Sequence, residues 1–331
     1  MLDDRSPAGF WGTRLRGGYG DVLKRELCDF PQYENCEDCG RFEQRNCDFP
    51  YLFKPHSHLF PEMPTGKPLG GKTNLPPPYV ITAPFENEHP LTRGSRVTFE
   101  FLALGKTIGR MLRVIDSFGK FGQNGLDVKT DSGGLDQARF QLVDVKDMLG
   151  AGRSLHALGN VAQPVVRDAA QLVAGLLPTD LPSEIVISFV TPVRIFREEY
   201  IKLDGAKPTG KGETARGLRD FYDLVKVIAN RVEGISQLYG SDWDGQANFY
   251  RRRNALLKES KKIEIVEIEL RKKTYHRYSK NARKAVGMDG FTGAIRARGD
   301  FSNLLELILL GEMLHIGESP HYGFGQYKVI Y

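Results

Sequence analysis

The chain of 331 residues lacks the features that would place it in or across a membrane. No run approaches the roughly 18 consecutive apolar residues of a membrane span. The first residues, MLDDRSPAGFWGTRLRGG, have no apolar stretch of the secretory kind. A cytoplasmic protein with no membrane partner is therefore expected. Charge of one sign is also not in large excess, since the net value of +5 is modest for a nucleic-acid binder. Cysteine is scarce, with four residues in all. The length exceeds the roughly 100 to 200 residues of a typical domain, and with 40% hydrophobic residues two compact units with real cores are expected.

What charge there is has been concentrated. From Arg251 to Lys284 there are 13 Lys or Arg against 4 Glu, so the remainder of the chain is slightly acidic. Such a run is either a solvated face or an electrostatic footprint for a polyanion. The cysteines are concentrated as well: Cys28, Cys36, Cys39 and Cys47 follow a C-x7-C-x2-C-x7-C spacing. In a reducing compartment four thiolates converging from short loops suit a closed tetrahedral zinc site, structural because no coordination position stays open. A disulfide pair or four incidental thiols are the alternatives.

The two halves show related patterns. Tyr79–Ala83 and Arg96–Leu104 read as paired strands, Thr107–Phe118 as a helix and Ala138–Val145 as a further strand. A helix over Gly20–Leu27 precedes them, behind the glycine-rich RGGYG. The second half is fuller: strand Ile185–Phe189, helix Leu218–Tyr239, strand Ile263–Leu270 with a change of phase that a β-bulge would produce, strand Phe291–Ala297, helix Leu304–Leu314 and strand Phe324–Ile330. That order is βαββαβ. The expected fold is α+β, with tandem ferredoxin-like units. The first, over residues 1–160, carries the cysteine insertion at 28–47 and either lacks its first strand or begins late. The second, over 180–331, ends in a glycine-rich loop at 315–325. Glycines at Gly317, Gly323 and Gly325 permit positive φ and would let backbone amides approach phosphates, while Phe324 or Tyr322 could stack on a base. A tight turn closing the last hairpin is the plainer reading.

Three stretches together resemble the CRISPR-associated endoribonucleases that process precursor crRNA, within the RAMP superfamily of ferredoxin-fold RNA-binding proteins. They are RLRGGYGDVLKRELC with the later cysteines and YLF at Tyr51–Phe53, RYSKNARKAVGMDGFTGAI, and LLELILLGEMLHIGESPHYGFGQYKV. The ending carries most, because a helix, His-x-Gly and then Gly-Phe-Gly entering a strand is the glycine-rich loop of such proteins.

The resemblance implies a nuclease that uses no catalytic metal. The ribose 2′-hydroxyl attacks the adjacent phosphate and leaves a 2′,3′-cyclic phosphate and a 5′-hydroxyl. The partner would be CRISPR repeat RNA within precursor crRNA, with other CRISPR effector subunits as further partners. His315, at the end of the apolar helix, is the first candidate proton carrier, with a helix C-terminal cap as its plainer role. His321 is the second candidate, and Tyr275, Tyr278 and Ser279 could orient or assist. Arg277, Lys280, Arg283 and Lys284 are the candidate cationic clamp, and with Ser279, Gly317, Gly323, Phe324 and Gly325 they form the expected RNA-binding set. Relatives often have Lys directly after His-x-Gly, where this chain has Glu318. Two rival functions remain: a non-catalytic RAMP subunit that grips crRNA in an interference complex, and a metal-dependent nuclease using Asp242 and Asp244.

Overall fold

A computed structural model describes residues 10–28, 36, 39, 47–56, 59–60, 75–84, 93–129, 135–157, 160–195, 220–241, 246–279 and 284–331. The chain divides into two units, Met1–Arg167 with Leu238–Ser241, and Asp168–Gln237 with Asp242–Tyr331.

In the first unit, α1 runs over Trp11–Leu27, so the RGGYG segment lies inside the helix instead of preceding it. Glycine costs a helix interior up to about 1 kcal/mol, and packing explains two of the three. A Cβ on Gly18 would sit 1.9 Å from the Phe121 ring, and one on Gly20 would sit 2.0 Å from the Phe53 ring. Between them Tyr19 stacks on Phe118 at 4.8 Å and meets Phe53, Tyr79 and Phe101 edge-on. The partners come from α2 (Asp48–Phe53), β1 (Tyr79–Thr82), β2 (Glu100–Ala103) and α3 (Met111–Asn124). β1 and β2 pair antiparallel from Tyr79↔Ala103 to Thr82↔Glu100. The expected strand over Ala138–Val145 is instead the junction of β4 (Leu135–Ala138), which pairs with β3 (Leu126–Lys129), and β5 (Val145–Asp147), which leads into β6 (Arg153–Ala157) and β7 (Asn160–Val161).

The second unit opens with a short helix, α4 (Ala169–Ala174), and is built on β8 (Glu184–Val193), α5 (Phe221–Tyr239), β9 (Glu264–Lys273), β12 (Gly290–Arg298), α7 (Leu305–Leu314) and β13 (Tyr327–Ile330). The sheet order is β13-β8-β12-β9, all antiparallel, which places the four strands in the ferredoxin-like arrangement. Two elements had no signal in the reading above: α6 (Gln246–Ser260), and a hairpin of β10 (His276–Ser279) and β11 (Lys284–Gly287) inserted between β9 and β12. The expected bulge is present, because Arg296 pairs with Glu267 while Ala297 pairs with Ile265, leaving Val266 extra.

One face of this sheet, with Ile185, Ile187, Phe189, Phe291, Ile295 and Tyr327, packs on Leu224, Val225 and Ile228 of α5 and Leu305, Ile308 and Leu309 of α7. Each such side chain contributes about 1.5–3 kcal/mol of burial. α7 is apolar nearly all round because it is buried on most sides. Its Gly311 leaves room for the Tyr327 hydroxyl and Ile228, which a Cβ would meet at 2.3 and 2.6 Å. The opposite face carries a lattice of ion pairs: Arg296 reaches Glu184 (3.1 Å) and Glu267 (3.2 Å), and Arg298 reaches Glu184 (2.8 Å). These charges are engaged with one another, and both arginines lie outside the basic run of Arg251–Lys284. The groups with chemistry to offer lie at the end of the sheet where β13 begins.

Candidate functional site

α7 stops at Leu314 because His315 adopts φ +52°, ψ 156°, a conformation few non-glycine residues tolerate. Leu314 has no following helical turn to satisfy its carbonyl. Arg231 of α5 supplies the donors, Nε at 3.3 Å and Nη2 at 3.2 Å. The capping role open to His315 thus belongs to Arg231. The imidazole itself turns inward and is only 2% exposed. Burial, reinforced by the Arg231 charge, pushes its pKa down to about 3, against a smaller upward pull from a backbone bond to Phe324. The ring is thus buried in this arrangement, and burial is the main cause that lowers its basicity.

The loop after it is closed upon itself. The N–H of Ile316 donates to Gly325 O, Glu318 to Arg194 O, Tyr322 to Ser319 O, Gly323 to Pro320 O, and Gly325 to Pro192 O. Thr191, buried at the end of β8, donates to Gly323 O (2.7 Å) and accepts from the Gln326 N–H (2.9 Å). These amides are engaged within the protein, so they do not form an open cradle for phosphate. The glycines serve close packing instead. A Cβ on Gly325 (φ +73°) would lie 1.8 Å from Ile316 O, and one on Gly317 (φ +76°) 2.5 Å from Ile195. Gly323 also has positive φ and is buried. Phe324 is fully buried and meets Tyr275 edge-on at 6.4 Å, so it presents no face to a base. That expectation is corrected: the loop residue with an accessible ring is Tyr322.

What the loop does present is a small group of side chains. His321 and Tyr322 are half-buried with ring centres 4.4 Å apart. The Arg277 guanidinium, from β10, lies 5.2 Å from the Tyr322 ring centre. Glu318 lies 3.5 Å from Arg194. The hairpin thus stands beside the loop, with Arg277 near Tyr322 and Tyr275 near Phe324. Lys284 is exposed at the start of β11, opposite Ser279. The side chains of Tyr278 and Ser279, and all of Lys280, Arg283, Asp242 and Asp244, lie outside what the structure describes. Arg194 was missed in the sequence; it follows Thr191-Pro192-Val193 as a single Arg with no motif around it.

The cysteines sit at element ends in the first unit. Cys28 follows α1, Cys47 precedes α2, and the Cys39 N–H donates to Cys36 O at 3.0 Å. All four are half-buried and none is disulfide-bonded. Burial, then the neighbouring Cys47 and Cys28, push the Cys36 thiol up to about 11. Cys47 is raised by burial, opposed by a Phe49 backbone bond, and further raised by Cys28 and Cys39. The thiols therefore sense one another. Among the described residues, however, no group of three or more His, Cys, Asp or Glu is gathered closely enough to hold an ion.

A ferredoxin-like sheet closed by this loop, following a first unit of mixed helices and strands, places the chain among proteins of α+β, ferredoxin-like fold. Residues 187–327 match the family model of the CRISPR-associated endoribonuclease Cas6, and residues 6–173 match a model described as an N-terminal domain, AF_1859_N. The second unit is thus similar to the CRISPR-associated endoribonuclease Cas6 over residues 187–327. Among solved structures it is similar to a Cas6 product complex (14% identity, 99% of this chain and 97% of that chain, TM-score 0.50). It is also similar to a Cas6 from Thermus thermophilus (13% identity, 99% and 95%, TM-score 0.46). A second Cas6 product complex matches at 12% identity, 100% and 96%, with TM-score 0.44. At 14% identity the first of these shows the fold alone. No curated protein matches the sequence.

Proposed function

We propose that the protein binds CRISPR repeat RNA and cleaves precursor crRNA by metal-independent attack of a ribose 2′-hydroxyl on the adjacent phosphate, with His321 as the proton carrier. The observation that carries this reading is the meeting of His321, Tyr322 and Arg277 on the accessible side of a loop that is otherwise closed and rigid. Tyr322 offers a ring for an unpaired base, Arg277 a guanidinium for the charge that develops on the phosphorane, and His321 an imidazole able to give or take a proton. His315 holds the loop from within. The hairpin residues Ser279, Lys280, Arg283 and Lys284 extend the RNA contact. Tyr278 remains a candidate to orient the reacting group.

Other CRISPR proteins are the proposed assembly partners, and the cytoplasm the proposed location. Among the described residues no helix is long and apolar enough to cross a membrane. The four cysteines are proposed to hold a structural zinc.

The test is incubation of the purified protein with a repeat-hairpin RNA in EDTA. An enzyme of this kind leaves one cut and a 2′,3′-cyclic phosphate end. A crRNA-gripping subunit binds the RNA and leaves it whole, and a metal-dependent nuclease loses its activity. Protein whose zinc content has been checked before and after EDTA separates the last outcome from unfolding of the first unit.

A further inference from the structure

Glu318, in the loop after α7, meets a cation that the structure brings from another element. Arg194 directly follows β8. Its stem lies over Gly290, where a Cβ would come within 3.3 Å of Arg194 Cγ and 3.0 Å of Val193 O. The loop is joined to it twice: the Glu318 N–H donates to Arg194 O (3.3 Å), and the Glu318 carboxylate lies 3.5 Å from Arg194 Nη2. The two side chains are unequally placed, with Glu318 71% exposed and Arg194 26%.

We propose that Arg194 is a phosphate-binding residue for RNA lying over the glycine loop, and that Glu318 is a carboxylate that masks it until an RNA phosphate takes its place. The proposal rests on the RNA-binding reading above and names one contact within it. The physical case is the asymmetry of the pair. An exposed ion pair is worth little, because water screens it and the longer side chain loses freedom in making it. Withdrawing Glu318 into solvent therefore costs little. Arg194 is held by its stem against Gly290 and by the bond its carbonyl accepts from the Glu318 N–H, so it has little reorganising to do. A guanidinium has five N–H donors in a planar fork that suits phosphate bidentately, and the contact with Glu318 is at the long end for even one of them. Arg277, 5.2 Å from the Tyr322 ring centre, is a separate cation beside the loop.

The experiment is a double-mutant cycle on the full chain, with Arg194→Ala, Glu318→Gln and the pair. Binding of the repeat-hairpin RNA is measured in EDTA across a salt series, and thermal melting serves as the folding control. Arg194→Ala should weaken binding about tenfold and flatten the slope of log affinity against log salt by roughly 0.7 to 1, the share of one phosphate contact. Glu318→Gln should tighten binding about threefold, within the range of an exposed ion pair. On the Arg194→Ala background it should do nothing, because the mask has nothing left to cover. A Glu318→Gln gain of equal size with and without Arg194 would reduce the effect to net charge and overturn the masking role. Unchanged affinity and salt slope in Arg194→Ala would overturn the phosphate contact while leaving the RNA-binding reading intact. Failure of the unaltered protein to bind RNA at all would overturn that reading and this proposal together.

Discussion

Arg231 of α5 gives two hydrogen bonds to the carbonyl of Leu314, and the residue after that carbonyl turns its ring into the core. The cap and the turn are coupled. With its last carbonyl satisfied from the side, α7 can end abruptly, and His315 can take a strained positive φ that aims the imidazole inward. The energy of a buried, neutral histidine then supports the loop's position instead of its chemistry.

That arrangement predicts a pH dependence of stability. Burial holds the folded-state pKa of His315 at about 3, below the ordinary histidine value of 6.5. Between these values the unfolded chain binds a proton that the folded one refuses, so stability is fully present above about pH 6.5 and is lost as pH falls toward 3. The loss is about 1.4 kcal/mol per pH unit through that window. Urea unfolding of the wild type and of His315→Asn from pH 7 to 4 checks this. The wild type should show the steeper decline, and equal slopes would mean the ring is not buried as described.

The two loop histidines should separate cleanly in activity. His321→Ala should slow cleavage by about 10² to 10⁴ with RNA affinity nearly unchanged, as removal of a general acid or base does. His315→Ala should lower the melting temperature yet keep most of the single-turnover rate at temperatures where it remains folded. A His315→Ala protein that is folded, binds RNA and does not cut would return the catalytic role to His315.

The division into a βαββαβ second unit was legible because its strands and helices carry clean apolar periods, including the phase change that became the bulge at Val266. The helix over Leu305–Leu314 and the loop after it were legible for the same reason. What was not legible depended on where side chains point. His315, Phe324 and the glycines have the residue types of an RNA-binding loop, but the sequence does not show that the positive φ at His315 turns the ring inward. Nor does it show that Thr191 and Pro192 engage the loop amides from 130 residues away in the chain. α6 was missed because its RRR and polar residues give almost no apolar stripe. The hairpin at Arg277 was missed because its strands are four residues each.

The RGGYG motif shows the same point in one helix and gives a graded prediction. At Gly17, exposed in α1, a Cβ would meet nothing within 4 Å, so Gly17→Ala should stabilise by up to about 1 kcal/mol through helix propensity alone. At Gly18 and Gly20 the added methyl would enter the Phe121 and Phe53 rings, which are themselves buried in the first unit's core. Overpacking of that kind costs about 1–3 kcal/mol and should exceed the propensity gain, so both substitutions should lower the melting temperature. Stabilisation by all three would show that α1 does not pack as closely as described.

The cysteines give the last prediction. Cys28 and Cys47 flank α1 and α2, and the thiols of Cys36 and Cys47 are pushed up chiefly by burial, yet among the described residues no group of three or more possible ligands gathers within reach of one ion. A zinc ion would draw them in, and because Cys36 and Cys47 pack against the core of the first unit, that closing would be felt as stability of α1 and α2. Purified protein should then contain one zinc per chain, lose it together with several degrees of melting temperature on treatment with a strong chelator, and recover both when zinc is returned. Cys36→Ser should reproduce the chelated state without chelator. Full thermal stability in metal-free protein with four titratable thiols would identify the cysteines as incidental, and two titratable thiols in the denatured, unreduced protein would identify a disulfide instead.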